Sequence, residues 1–150
     1  MLSALLHNVT VIAALAGYVT AQSIKLVTVM IRDRKFDVKF LGRLGGMPSS
    51  HATTAAACAM SVGLRAGFDS AVFAVAFGIL ALVMIDAQSV RRAAGAQARL
   101  LNRLTDDFYR TPGASGAKLT ESLGHSRLEV LVGAMLGFLV AWLTHRVMPS

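Results

Sequence analysis

Two of the four histidines sit in runs whose neighbours suit work on an anion. The first is Gly45-Gly46-Met47-Pro48-Ser49-Ser50-His51, which leads into a stretch rich in Ala and Thr. The glycines allow unusual backbone angles, Pro48 sets the entry to a helix, and a serine can cap it. A helix N-terminus carries free N–H groups and partial positive charge, a combination that binds phosphate. His51 then falls in the first turn, able to donate a proton. The second run is Gly124-His125-Ser126-Arg127-Leu128-Glu129. His125 and Glu129 are four residues apart and share one helix face. A carboxylate on one imidazole nitrogen fixes the tautomer and leaves the other nitrogen as base or nucleophile. Lys25 and Arg32, nearly two helical turns apart, point the same way and add two cations. Asp86 precedes Arg91 and Arg92, whose guanidinium forks match phosphate, and it can orient one of them or bind a cation. Together these residues describe an anion site with two histidines suited to acid and nucleophile. No carboxylate cluster suggests a metal pair, and nothing suggests a haem, nucleotide or redox cofactor.

The elements that must bring these residues together are apolar. Only 15% of the 150 residues are charged and 55% are hydrophobic, against about 25% charged in soluble domains. Residues 4–31 hold one charge, Lys25; residues 70–85 hold none; residues 128–144 hold only Glu129. A helix needs about 20 mostly apolar residues to cross a bilayer. The sequence therefore predicts a single domain, residues 1–150, an all-α polytopic membrane bundle. Its four spans fall near 5–24, 50–66, 69–87 and 128–145. The second is short and rich in small residues, which suits a helix packed inside the bundle; with the third it forms a hairpin that is either spanning or re-entrant. A soluble helical domain of this size has too little interior to hide four such segments. The first block lacks the basic n-region and cleavage site of a secretory leader. The single Cys58 forms no disulfide within the chain and reads as a packing residue.

The net charge of +7 could suggest nucleic acid, but its distribution points to a membrane. Of the 15 Lys and Arg, 13 fall in the first and third connections or at their edges. Four spans put both connections on one side, which the positive-inside rule makes cytoplasmic, with both termini outside. Residues 86–104 favour a helix with an apolar stripe of Val90, Ala94, Ala98 and Leu101. Residues 111–116 have the composition of a flexible loop.

The same residues carry a resemblance. Gly45 to His51, then Val83-Met84-Ile85-Asp86-Ala87 with Val90 to Asn102, then Leu123 to Gly133, in that order, resemble the divergent PAP2 family. These small membrane proteins are related to type 2 phosphatidic acid phosphatases and vanadium haloperoxidases. The likeness runs from about Lys25 to Gly137. Lys25 and Arg32 match the spacing of the superfamily's first motif, with Asp33 in place of its proline. Pro48, Ser49 and His51 match the second, with Ser50 in place of glycine. His125 and Glu129 match the end of the third, with Glu for Asp, while Leu119 stands where its arginine belongs; Arg91 or Arg92 is the substitute at hand. The resemblance implies His125 as nucleophile forming a phosphohistidine, Glu129 as its orienting partner, and His51 as general acid. It assigns the phosphate to Lys25 and Arg32; the residues' own chemistry adds Ser49, Ser50, Arg91 and Arg92 as further ligands, with Asp86 in support. The implied substrate is a lipid phosphate or pyrophosphate at the cytoplasmic face of a bacterial inner membrane. Four spans fall short of the superfamily's six helices, so a homodimer would complete the site. The rival expectations are a lipid or anion binder or transporter subunit on the same scaffold, and a scaffold docking a partner through Arg99, Arg103 and Arg110.

Overall fold

Three serines set where helices begin. The computed structural model describes residues 7–33, 46–108, 118–120 and 124–148. Helix α1 runs Val9–Asp33. Helix α2, Ser50–Ala66, starts where the Ser49 hydroxyl accepts from the Ala52 N–H at 3.4 Å. Helix α3, Ala71–Gln88, starts where Ser70 accepts from Phe73. Helix α4, Val90–Phe108, follows after one residue. Helix α5, Arg127–Val147, opens on a full capping box: Ser126 accepts from the Glu129 N–H while Glu129 accepts from the Ser126 N–H. No described residue lies in a strand.

Helices α1, α3 and α5 are long and apolar enough to cross a membrane. Their outward faces remain greasy, with Leu15, Val75, Ile79, Leu82, Met135 and Leu139 exposed. An apolar surface of that extent belongs against lipid. Helix α2, 17 residues, is shorter. It packs against α1, α3 and α5, and its Ala52, Ala56, Ala57 and Ala59 are buried. Small residues make that central place possible. A Cβ on Gly133 of α5 would stand 2.6 Å from the Ser49 carbonyl oxygen, and one on Gly137 would meet the Thr53 carbonyl and stand 2.8 Å from the Ala56 methyl. Two glycines one helical turn apart thus let α5 lie directly on the backbone of α2.

Successive spans alternate in direction. At one end Thr10 of α1, Ser61 of α2 and His145 of α5 form a hydrogen-bonded chain, with Ser61 Oγ 3.0 Å from Thr10 Oγ1 and 2.8 Å from His145 Nε2. At the other end the C-terminal halves of α1 and α3 meet the N-termini of α2 and α5. All the histidine and cation candidates that the structure describes lie at that second end.

Two expectations change. The apolar part of α1 runs to Ile31 rather than stopping near residue 24, so Lys25 falls inside it. Its ammonium is drawn inward to the Ser50 hydroxyl. Of the stripe Val90, Ala94, Ala98 and Leu101, helix α4 buries only Ala98. It buries Gly95, Ala98 and Asn102 and leaves Val90 and Leu101 exposed. The cause is Asn102, whose amide donates to the Leu119 carbonyl and accepts from the Leu119 N–H, both at 2.9 Å. Satisfying that buried amide turns the face of small residues inward. The loop of residues 111–116 and the basic residues Arg34, Lys35, Lys39, Arg43 and Arg110 lie outside the described residues, as does Gly45.

Candidate functional site

His125 is held from three directions. Its N–H donates to the Ala87 carbonyl of α3 at 3.1 Å. Gly124 before it adopts φ +98°, a conformation open to glycine, and a Cβ there would stand 2.8 Å from the Arg92 nitrogen of α4. On the ring, Nδ1 lies 3.2 Å from Glu129 Oε2. The same carboxylate oxygen takes the Ser126 N–H at 2.9 Å. The capping box that begins α5 therefore also orients the imidazole. A carboxylate only accepts, so the hydrogen-bond network assigns the proton to Nδ1 and leaves Nε2 with its lone pair. The residue is 8% exposed. Burial pushes its pKa below the ordinary histidine value, and Lys25 and Arg91 push the same way, while Glu129 acts against them. Nε2 is thus kept unprotonated at neutral pH.

A cavity of about 290 Å³ opens beside this ring, lined by His51, Asp86, Arg91 and His125 with the apolar Leu82, Val83 and Ala87. His51, in the first turn of α2, is exposed and forms part of the wall. Arg91 Nε donates to Asp86 Oδ2 at 2.8 Å. That ion pair is partly exposed, so it does more to aim the guanidinium than to stabilise the fold. The two terminal nitrogens of Arg91 have no partner among the described residues and remain available to an anion.

The other candidates fall into distinct places. Lys25 is 7% exposed and donates to the Ser50 hydroxyl at 3.2 Å. It lies outside the cavity lining, yet close enough that its charge acts on His125. Ser49 is fully buried. Its hydroxyl caps α2, and its N–H donates to the Glu129 carbonyl at 3.1 Å, joining α2 to α5. Neither group of Ser49 is free to meet a ligand. Arg92 is exposed and absent from the cavity lining; its backbone is what Gly124 packs on. Arg32 stands in the last turn of α1, and its side chain lies outside the described residues. Among the described residues no group of three or more His, Cys, Asp or Glu is placed to hold a metal ion.

Sequence reasoning missed the supports. The Asn102 clamp on Leu119, together with the Lys118–Asp106 ion pair at 3.0 Å, holds residues 118–119 against α4. An Asn in mid-helix is a weak signal, because it has low helix propensity and wants a partner. Nothing in its spacing names Leu119. The Gly133 and Gly137 pair was legible as a small-residue packing motif in an apolar span.

Comparison with known proteins agrees with this architecture. The family model described as "Divergent PAP2 family" matches residues 6–140. The chain is also 39% identical over 147 residues to a protein of Bacillus subtilis (strain 168) named "Uncharacterized membrane protein YuiD", covering 91% of this chain and 93% of that one. No solved structure matches. With the family model spanning residues 6–140 and the relative aligned over nearly its whole length, this membrane protein belongs to the divergent PAP2 family.

Proposed function

We propose that the chain is a membrane phosphatase that hydrolyses a lipid phosphate or pyrophosphate through a phosphohistidine on His125. The observation that carries this reading is the buried imidazole, with Nδ1 held by Glu129 and the ring lining a cavity that also holds His51 and Arg91. In the first step the Nε2 lone pair attacks phosphorus. A P–N bond forms, the P–O bond to the leaving group breaks, and His51 gives that oxygen a proton. In the second step water attacks the same phosphorus and passes a proton to His51. The P–N bond breaks and its electron pair returns to Nε2. Arg91 and the nearby charge of Lys25 stabilise the negative charge on the phosphoryl oxygens in both steps, and Arg32 is the further cation that the resemblance assigns. Asp86 holds Arg91 in place, and Glu129 stabilises the positive charge that builds on the imidazole.

Most Lys and Arg residues fall on the connections at the end of the cavity, which makes that end cytoplasmic and puts both termini outside, in the inner membrane of a bacterium. The apolar part of the cavity wall, Leu82, Val83 and Ala87, suits an acyl or prenyl chain entering from the bilayer. A homodimer would close the open side of the cavity, where His51 is exposed.

One observation favours a second reading, a lipid or anion binder without turnover. Lys25 already donates to Ser50 and Arg91 Nε to Asp86, and Leu119 stands where the superfamily has an arginine. Phosphate release by the protein in nanodiscs, across a panel of lipid phosphates and pyrophosphates, separates the two beside His125→Ala. Release that disappears in the folded variant supports the phosphatase. No release from any substrate, with lipid phosphate still raising the thermal stability of both proteins, leaves the binder.

A further inference from the structure

We infer that α4 lies in the headgroup layer of the bilayer, with its apolar arc in lipid and its arginines towards phospholipid phosphates and water. At 100° per residue, Val90, Ala93, Ala94, Leu100, Leu101 and Leu104 fall in one arc about 120° wide, interrupted only by Gln97. Arg92, Arg99 and Arg103 fall on the opposite side. The leucines of the arc are uncovered: Leu100 is 60% exposed, Leu101 50% and Leu104 46%. Among the described residues no other helix lies over them. The inward face of α4 holds Gly95, Ala98 and Asn102, with Asn102 bonded to Leu119, and α3 is the only helix it packs against among the described residues.

What covers the arc follows from continuity with α3. Eighteen residues at about 1.5 Å each give α3 a length near 27 Å, close to the thickness of the hydrocarbon core. The crossing is therefore complete at Gln88, and α4 has to emerge at the boundary. Hydrogen bonds run on through the junction, Ser89 N–H to Ile85 and Ala93 N–H to Ser89, both at 2.9 Å. Counted back from Val90 at the same 100° per residue, the exposed Val72, Val75, Ile79 and Leu82 of α3 fall in the same arc. The lipid-facing surface of α3 thus passes without a break into the apolar arc of α4. A helix with such an arc and arginines opposite it is stable in the plane of the interface, where long cationic side chains reach headgroup phosphates. Because Arg91 belongs to the first turn of α4 and lines the cavity, the seating of α4 sets the site at headgroup depth, open to ligands held in the leaflet. This holds whether or not the site turns a ligand over.

The test is collision accessibility of nitroxide labels on the full chain in phosphatidylcholine nanodiscs. In a Cys58→Ala background, labels are placed through Leu101→Cys and Leu104→Cys on the arc, and through Arg92→Cys and Arg103→Cys opposite it. Gly78→Cys, where nothing lies within 4 Å, is the lipid-facing reference. Labels at 101 and 104 are expected to resemble the reference, colliding with oxygen severalfold more than with an aqueous nickel chelate, and labels at 92 and 103 to show the reverse. Free access of the nickel chelate to 101 and 104 would mean that α4 stands in water and would overturn the inference. Shielding of both positions from both reagents would overturn it in favour of a second copy of the chain. Should a substitution at 101 or 104 prevent folding, Val90→Cys and Leu100→Cys report on the same arc.

Discussion

Replacing Glu129 by Gln isolates the charge beside the candidate nucleophile. Gln can keep the capping box, since its amide oxygen accepts from the Ser126 N–H as the carboxylate does, so α5 still starts at the same place. What is lost is the negative charge 3.2 Å from His125 Nδ1. In a partly buried site with an effective dielectric of about 20, a full pair of charges at that distance interacts by about 5 kcal/mol. The imidazole carries roughly half a positive charge midway through attack, so about 2.6 kcal/mol is at stake in the transition state. The Glu129 side chain is a quarter exposed, and screening brings the figure towards 2 kcal/mol, roughly a 30-fold loss in kcat. KM is expected to change little, because the carboxylate faces the ring and not the ligand. The acid limb of the rate profile adds a second readout. Glu129 raises the pKa of His125 against the effect of burial, so its neutralisation moves that limb to lower pH. The assay is steady-state phosphate release in nanodiscs from pH 5 to 8, beside thermal unfolding. A folded Glu129→Gln protein with kcat within twofold of wild type, or with an unmoved acid limb, would refute the assignment of Glu129 as the residue that orients and stabilises His125.

Other perturbations have definite outcomes. Gly133→Ala puts a methyl 2.6 Å from the Ser49 carbonyl oxygen; it should cost about 1–3 kcal/mol of stability by overpacking and lower the midpoint of thermal unfolding in detergent. Gly78→Ala, facing open space, should be neutral or slightly stabilising. Asn102→Ala removes two hydrogen bonds to Leu119 and should cost about 1–3 kcal/mol. Its sharper signature is faster hydrogen exchange confined to residues 118–125 and the first turn of α5. The lowered pKa of His125 also gives stability a pH dependence. The unfolded chain takes up a proton near pH 6.5 and the folded one only below that. Stability should therefore be full above about pH 6.5 and fall as the pH drops through the folded value. His125→Gln should flatten that part of the curve in an unfolding titration.

Much of the architecture is written in local patterns. Long uncharged runs dictate membrane helices, because an unpaired backbone polar group is too costly in lipid for any other form at those positions. Serines before Ala52, Phe73 and Glu129 set the starts of three helices through short-range bonds that need no partner from elsewhere. The antiparallel order of the spans then brings Lys25, Ser50, His51, Asp86 and His125 to one end of the bundle. Their gathering there is close to a consequence of the hydropathy pattern. The i, i+4 spacing of His125 and Glu129 likewise implies their contact, since both turns belong to the same helix start. What tertiary structure alone decided is which groups face the cavity. Arg91 and Arg92 are equivalent in the sequence, but one step along a helix is 100° of rotation, and only the Asp86 contact and the docking of Gly124 select Arg91 as the one that points in. Ser49 reads as a phosphate ligand until the carbonyl of Glu129 claims its N–H. Asn102 overrides the apolar stripe of α4 because a buried amide has to be satisfied, and its partner lies 17 residues away. These choices depend on shape and hydrogen-bond completion between segments distant in the chain, which no local pattern of residue types encodes.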